Sequence, residues 1–166
     1  MTTPEERWQE FLDECVNVDD PYPGATRIDG GPARRREAAR VRNQSEYHTL
    51  AAQDNLEGQA PLMAIREGYY VMMHKANEAL ALAGFKPRSH QCTLLGLRGV
   101  FNAPDLADML RRARQERRNV DYFIDPADPE LTEFASPRSF IEETVDVFVD
   151  RVDDLIAEEG LGNDSG

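Results

Sequence analysis

The stretch PLMAIREGYYVMMHKANEALAL, residues 61–82, decides the fold of this chain. Its apolar residues recur every three or four positions, which is the spacing of an α-helix that buries one side. The expected buried stripe comprises Leu62, Ile65, Tyr69, Met72, Ala76 and Leu80, and the adjoining polar row comprises Arg66, Tyr70, His74 and Asn77. Pro61 suits a first helical turn and Gly84 suits a stop, so the pattern predicts one long helix.

Helical spacing also marks the segments that precede this central helix. Thr3 followed by Pro4 predicts the start of a short amphipathic helix, which would dock through Trp8 and Phe11 on the same subunit or on a partner. A run free of Gly and Pro over residues 33–56 predicts a long helix. Its expected apolar stripe comprises Ala38, Val41, Ser45, Leu50 and Ala52.

Three further helices are expected after the central one. Ser89 caps a helix that ends near Gly99, Pro104 opens the next, and Ser136 with Pro137 opens the last. Residues 17–32 and 125–137 are rich in Pro, Gly and Asp and read as loops, and no segment alternates with a period of two. We therefore predict an all-α fold: an N-terminal appendage and linker over 1–32, an antiparallel bundle of four to five helices over 33–159, and a disordered tail over 160–166.

The composition is strongly acidic. The formal net charge is −12, from 31 Asp and Glu against 19 Lys and Arg, and only Lys75 and Lys86 are lysines. A carboxylate-rich surface with arginine as the main cation suggests adaptation to high salt. Cys15 and Cys92 form neither a zinc motif nor a disulfide framework. No apolar run reaches the roughly 18 residues that span a membrane, and no signal peptide is visible, so we expect a cytoplasmic protein.

The helix that begins at Pro104 carries an unusual pair of charges. Leu106, Leu110 and Ala113 define its apolar stripe, and the same spacing continues to Arg117 and Asp121. A buried ion is costly unless it is paired, so the two side chains should be mutual partners or should border a cleft. The alternative is an ordinary i,i+4 salt bridge on a helix surface.

The remaining candidates for chemistry are weak on sequence alone. His48, His74 and His90 lie on different predicted helices without metal-ligand spacing, so we expect no metal site. The arginines at 34–36, 40 and 42 either grip an anion or form a solvated helix face. No phosphate-binding, dinucleotide-binding or zinc-protease motif is present.

Three blocks of the sequence resemble a known family. REGYYVMMHKANEAL (66–80) resembles the RxxYYxMxHxAxxAL helix of HEPN domains (higher eukaryotes and prokaryotes nucleotide-binding), specifically the small stand-alone prokaryotic class. KPRSHQCTLLGL (86–97) looks like the segment that follows it there, and ARQERRNVDY (113–122) is similar to the late AxxxRxxxDY signature. The order and separation of the blocks match over roughly residues 33–159.

The resemblance implies a helical homodimer with a cleft at the dimer interface, lined by the late arginine motif. Family members are metal-independent ribonucleases, often toxins paired with a minimal nucleotidyltransferase, or accessories that bind RNA or nucleotides; no cofactor is implied. By position, Arg117, Asp121 and Tyr122 become the candidate catalytic residues. The candidate binding residues are Arg66, Tyr70, His74, Arg114 and Arg118.

One departure from the family pattern matters for function. Nuclease-active members carry a histidine four to six residues after the arginine, whereas the residue five after Arg117 is Tyr122, and no histidine follows His90. Arg42 and His48 fit the interval, but six helical residues turn the two side chains about 120° apart, so the match is read as chance. The sequence therefore favours a binding component without full nuclease activity. The alternatives are a ribonuclease that uses Arg117 with Asp121 or His74, and modification of Tyr122 by the partner.

Overall fold

The computed structural model of the chain describes residues 3–18, 23–123 and 136–161. The described part is all-α apart from one short strand pair, as predicted. The central helix α3 (Met63–Ala83) contacts five other α-helices of the described chain: α2 (Gly31–Glu57), α4 (His90–Gly99), α5 (Pro104–Phe123), α6 (Pro137–Phe140) and α7 (Asp146–Glu158). The predicted loop over 125–137 and the tail over 160–166 lie largely outside the described residues.

Helix α3 buries the stripe that its periodicity predicts. Ile65, Tyr69, Met72, Ala76 and Leu80 are all buried, whereas Leu62 precedes the helix and is half-buried. The helix begins at Met63, two residues later than Pro61 suggested, because Pro61 lies in the preceding turn, where its carbonyl accepts from the amide of Ala64. Gly84 ends the helix with φ +100°, a left-handed conformation that only glycine adopts without strain.

Helices α2 and α3 form a hairpin whose open end is closed by two strands. Strand β1 (Ala25–Arg27) pairs antiparallel with β2 (Phe85–Pro87), with Thr26 opposite Lys86. The prediction of no strand was therefore wrong, and so was the reading of residues 17–32 as a loop throughout. Three-residue strands are too short to show alternation of apolar and polar residues, so the sequence of neither segment predicts the pairing. Arg34 reinforces it, because its Nε donates to the carbonyl of Ile28 at 2.9 Å.

Helix α1 (Pro4–Val16) docks on the same chain. Thr3 and Glu6 form the reciprocal capping box that starts the helix. Phe11 and Cys15 are buried, and the rings of Trp8 and Phe11 meet the ring of Phe85 edge-on at 5.8 and 5.4 Å. A fully buried Phe side chain contributes about 1.5–3 kcal/mol. The N-terminal helix is thus packed into the core, and the proposed domain division at residue 32 stays a prediction.

The last helical segment crosses α3 very closely. It runs through α6 (Pro137–Phe140), one π-helical turn (Ile141–Val145) and α7. Val145, Phe148 and Val152, which recur at helical spacing, are buried. A Cβ atom on Gly68 would lie 2.8 Å from both Phe140 and Ile141, so only glycine permits this crossing. Within the described part of the chain, no helix is long and apolar enough to traverse a bilayer.

Candidate functional site: a cluster around Tyr70

The polar row of α3 meets side chains from both α2 and α5. The ring of Tyr70 stacks against His48 of α2, with ring centroids 5.1 Å apart. Its hydroxyl accepts a 3.1 Å hydrogen bond from Nη1 of Arg117 on α5. Tyr70 therefore joins the two neighbouring helices. The residues gathered around it are called the Tyr70 cluster here: His48, Arg66, Glu67, Tyr70, His74, Arg117 and Asp121.

Arg117 is held by several interactions at once. Besides the bond to Tyr70, its guanidinium lies 5.0 Å from the ring centroid of Tyr69 and 5.7 Å from that of Tyr70, which is cation–π geometry. Nη1 also lies 3.5 Å from the carboxylate of Asp121. The Arg117 side chain is only 20% exposed, so aromatic rings replace most of its water. The predicted Arg117–Asp121 pair is present and lies against α3.

Asp121 is shared between two cations. Its other oxygen lies 3.9 Å from Nε of Arg66, too long for a hydrogen bond but within the range of an ion pair. The pKa of Arg66 is raised, first by Tyr70 and then by the charge of Asp121. Within the described structure, the buried Nε atoms of Arg66 and Arg117 have no hydrogen-bond acceptor. Two guanidiniums thus share one carboxylate, and an anion could balance the positive charge that remains.

His48 pairs with a carboxylate from the neighbouring helix. Its Nδ1 lies 2.5 Å from Oε2 of Glu67, and the two side chains are 21% and 18% exposed. The His48 ring also lies almost parallel to that of His74, with centroids 5.4 Å apart and an interplanar angle of 11°. Carboxylate and stacked rings together fix the position and orientation of this imidazole.

His74 is a neutral imidazole inside the cluster. Burial, together with the nearby charges of His48 and Arg40, lowers the pKa of His74 to about 4. Its Nδ1 is buried and has no partner in the described structure. His74 therefore contributes a ring face and a neutral nitrogen near pH 7, and no charge.

A second tyrosine–histidine contact lies behind the cluster, in the core. The hydroxyl of Tyr69 lies 2.7 Å from Nδ1 of His90 and 3.0 Å from Sδ of Met73. Burial, together with the charges of Arg114 and Arg117, lowers the pKa of His90 to about 3. Burial also raises the pKa of Tyr69 to about 12. Tyr69 and His90 are therefore both neutral at pH 7. Their contact fixes the ring of Tyr69, which is one of the two rings that Arg117 contacts.

The structure does not bring every predicted site residue into the cluster. Arg114 is half-buried and close enough to Tyr69 and His90 to affect their pKa values. Arg118 is exposed on the outer side of α5. Tyr122 is 73% exposed, so the predicted trio of Arg117, Asp121 and Tyr122 does not form one compact group. That exposure is what an acceptor of a transferred nucleotide would need.

The arginine run at the start of α2 is largely engaged by the protein itself. Arg40 pairs with Glu37 at 2.5 Å, and Arg42 lies 3.6 Å from the buried carboxylate of Glu78. Arg34 is half-buried against Gly84. The prediction of a solvated helix face therefore fits the exposed Arg40 and Arg42, whereas Arg34 is bonded to the chain itself.

The sequence pattern gave no indication of Glu67, and His48 was set aside because its spacing from Arg42 was read as chance. The stripe of α2 was expected to include Ser45 and Leu50. Ser45 is buried as expected, but Leu50 is 69% exposed, and His48 lies one turn beyond Ser45 on the same face. The predicted pairing of the two helices could have placed His48 beside Tyr70 and His74. His48 lies about as far before the α2–α3 connection as Tyr70 and His74 lie after it, so antiparallel packing brings them level.

In this arrangement the guanidiniums of Arg66 and Arg117 could bind a phosphate, and the imidazole of His48 is oriented to exchange a proton with a hydroxyl group. Among the described residues, no group of three or more His, Cys, Asp or Glu side chains is arranged to hold a metal ion. No protein-family model matches this chain, and no curated protein or solved structure resembles it significantly.

Proposed function

We propose that this chain is a HEPN-like protein that binds RNA or a nucleotide through phosphate oxygens at the Tyr70 cluster. The observation that supports this most directly is the arrangement of Arg66 and Arg117. Both guanidiniums face the single carboxylate of Asp121, and Arg117 is held in place by Tyr69 and Tyr70. Arginine in such a fixed fork is suited to a phosphate.

The pair of Arg66 and Arg117 contrasts with the acidic composition of the rest of the chain. A chain with a net charge of −12 repels nucleic acid over most of its surface at low salt. In molar salt the Debye length falls to about 3 Å, so only direct contacts count. A short-range site of two arginines is therefore the kind of phosphate contact that would work under those conditions.

Binding is tested by fluorescence anisotropy with a labelled single-stranded RNA at several salt concentrations. Arg117→Gln should weaken binding by roughly tenfold and reduce the slope of log Kd against log salt by about one phosphate contact. The matched control is Arg111→Gln, because Arg111 lies on the same helix but is exposed and pairs with Asp108 at 2.6 Å. Equal affinity of the Arg117→Gln variant and the wild type would refute the proposal.

The proposal includes a homodimer and a nucleotidyltransferase partner. The exposed Tyr47 and Leu50 on α2 support a protein contact beside the cluster, since large apolar side chains on a monomer's surface are often covered in an assembly. Sedimentation of the purified chain tests the dimer. Native mass spectrometry after co-expression with a minimal nucleotidyltransferase tests the pairing, and free components in both experiments would contradict this part.

A second candidate function is metal-independent cleavage of the bound RNA. It is favoured by the presence of neutral His74 in the same cluster as Arg117. Arginine stabilises negative charge on phosphorus but cannot move a proton, because its pKa is above 12. Asp121 or His74 would have to supply that step, and degradation of RNA in the presence of a metal chelator is the measurement that tests this function.

A further inference from the structure

We infer that Cys15 and Cys92 are a redox-sensitive pair, which closes to an intramolecular disulfide when the chain meets a small-molecule disulfide such as oxidised glutathione. The new bond fastens the end of α1 to the start of α4. The inference is independent of the proposed function, because it involves no residue of the Tyr70 cluster.

Tertiary packing brings the two thiols together. Cys15 and Cys92 lie 77 residues apart in the sequence, yet Sγ of Cys92 lies 3.6 Å from the carbonyl oxygen of Cys15. Both side chains are fully buried, and both are free thiols. Burial, and after it the neighbouring Cys92, raises the pKa of the Cys15 thiol. A sulfur this close to the backbone of the other cysteine suits a disulfide, whose Cα atoms lie about 4.4–6.8 Å apart.

The pair lies at a junction of four elements. Cys15 is in the last turn of α1, and its carbonyl accepts a 2.8 Å hydrogen bond from the amide of Gly24, just before β1. The carbonyl of Gly24 accepts in turn from the amide of Arg88, just after β2, at 3.1 Å. Cys92 is in the first turn of α4, where its amide donates to Oγ of Ser89. A disulfide at this position therefore reinforces a junction that backbone hydrogen bonds already hold.

The oxidant reaches the thiols when the end of α1 opens. A thiol must become a thiolate to react, and burial disfavours the thiolate in the closed state. Helix ends open at a lower free energy than the core does, and Val16, beside Cys15, is 65% exposed. The rate of oxidation is therefore set by the opening of α1. The extent of oxidation is set by how well the two sulfurs meet in the closed state.

The reaction consists of two thiol–disulfide exchanges. The thiolate of one cysteine attacks a sulfur of oxidised glutathione, forms a mixed disulfide and displaces one glutathione thiolate. The thiolate of the second cysteine then attacks the protein sulfur of that mixed disulfide and displaces the other glutathione. The two cysteines lose two electrons and two protons. The products are the Cys15–Cys92 disulfide and two molecules of reduced glutathione.

The main test compares the oxidation equilibrium of the folded chain with that of the unfolded chain. The full chain is equilibrated with mixtures of reduced and oxidised glutathione, once in native buffer and once in urea, and is then quenched with acid. Mass spectrometry detects the disulfide as the loss of two hydrogen atoms, and peptide mapping identifies the two cysteines. The equilibrium constant for disulfide formation should be roughly thirtyfold or more larger in the folded chain, the lower end of what native disulfides supply.

Hydrogen exchange tests whether the disulfide fastens α1. Amides of residues 11–16 should exchange about tenfold or more slowly in the oxidised chain than in the reduced chain, and the slowing should be larger there than in α7. Cys15→Ala and Cys92→Ala are the matched controls, because neither can form the bond. Treatment with oxidised glutathione should leave the exchange of α1 in both variants unchanged.

Two results would overturn the inference. An equilibrium constant no larger in the folded chain than in urea would show that the native packing does not suit a disulfide. Oxidation that ends at a glutathione adduct, or at disulfide-linked dimers, would show the same. Both results are obtained on the wild type, so neither depends on the folding of a cysteine variant. RNA binding through Arg117 is measured separately and is affected by neither result.

Discussion

Nη1 of Arg117 donates a 3.1 Å hydrogen bond to the hydroxyl of Tyr70, which lies 47 residues earlier in the chain. This bond connects α5 to α3 and fixes the guanidinium over two aromatic rings. A lysine at position 117 would keep the charge but lose the planar fork and its stacking. The bond makes Tyr70 a structural and a functional residue at once.

Tyr70→Phe should therefore affect both stability and RNA affinity. Loss of one partly buried hydrogen bond to a charged group should lower the free energy of unfolding by about 1–2 kcal/mol. The anisotropy Kd for RNA should rise, because Arg117 gains freedom. Tyr47→Phe is the control, since Tyr47 is exposed and should tolerate the change. Equal chemical-denaturation midpoints for the two variants would contradict this role of Tyr70.

Acid should destabilise the protein in part through His90. The unfolded side chain binds a proton near pH 6.5, whereas burial and nearby arginines lower the pKa in the fold to about 3. The unfolded state therefore gains its proton first as pH falls. The stability from this group is complete above pH 6.5 and declines down to about pH 3, by up to about 1.4 kcal/mol per pH unit.

The measurement is denaturant unfolding of wild type and His90→Asn between pH 7 and pH 4. The asparagine oxygen can still accept from Tyr69 but does not titrate, so the variant should lose less stability on acidification. His74 acts in the same direction, with a smaller effect because it is partly solvated. Parallel pH curves for the two proteins would exclude His90 as a source of the acid sensitivity.

Gly68→Ala should be strongly destabilising. The added methyl group would lie 2.8 Å from Phe140 and Ile141 and 2.9 Å from Val145, so α3 and the last helical segment would have to separate. Overpacking of this kind costs about 1–3 kcal/mol. Gly99→Ala is the matched control, because its nearest neighbour would be Phe11 at 3.4 Å, an ordinary contact. A thermal melt that ranks the two variants equally would refute the tight crossing.

The buried lysine of α3 should be more important than its exposed counterpart. Lys75 lies 2.9 Å from Glu78 and also contacts Asp153. Burial lowers the pKa of Lys75, but the hydrogen bonds to Asp153 and Glu78 outweigh burial and leave that pKa raised. Among the described residues, Lys75→Met would leave the carboxylate of Glu78 paired with the more distant Arg42, at a cost of about 3 kcal/mol. Lys86→Met, on the surface, should change urea stability by less than about 0.5 kcal/mol.

Salt should stabilise the fold. With a net charge of −12, carboxylates repel one another over a Debye length of about 10 Å at 0.1 M salt, and molar KCl shortens this length to about 3 Å. Tm should rise steadily with KCl and much less with sucrose, which screens no charge. Full stability in dilute buffer would remove the interpretation of the acidic surface as an adaptation to high salt.

Much of the fold could be predicted from periodicity, because the apolar pattern of a long amphipathic helix is visible within its own sequence. Ile65, Met72 and Leu80 in α3 are buried where the spacing placed them. The cluster was harder to predict, because its contacts depend on tertiary pairing. Arg117 was identified by a charge in an apolar stripe, a signal within one helix.

His48 and the strand pair were missed for a common physical reason. Polar residues on the buried face of α2 are tolerated because α3 supplies their partners: Ser45 donates to the carbonyl of Val71 at 3.0 Å, and His48 meets Glu67. Those partners lie about 20 or more residues away in the sequence. The hydrophobic pattern of α2 alone therefore placed Leu50, and not His48, on the buried face. Strand β1 likewise exists only because β2 lies beside it.

The pairing of β1 with β2 has a consequence for the chemistry of the hairpin. Arg27 opposite Phe85 ties the chain before α2 to the chain after α3. If α2 slid along α3 by one turn, about 5.4 Å, the imidazole of His48 would pass the carboxylate of Glu67, and the strand register would break as well. The backbone hydrogen bonds between β1 and β2 thus fix how α2 and α3 are aligned along their length. The contact between His48 and Glu67 depends on that alignment, although it lies far from the strands.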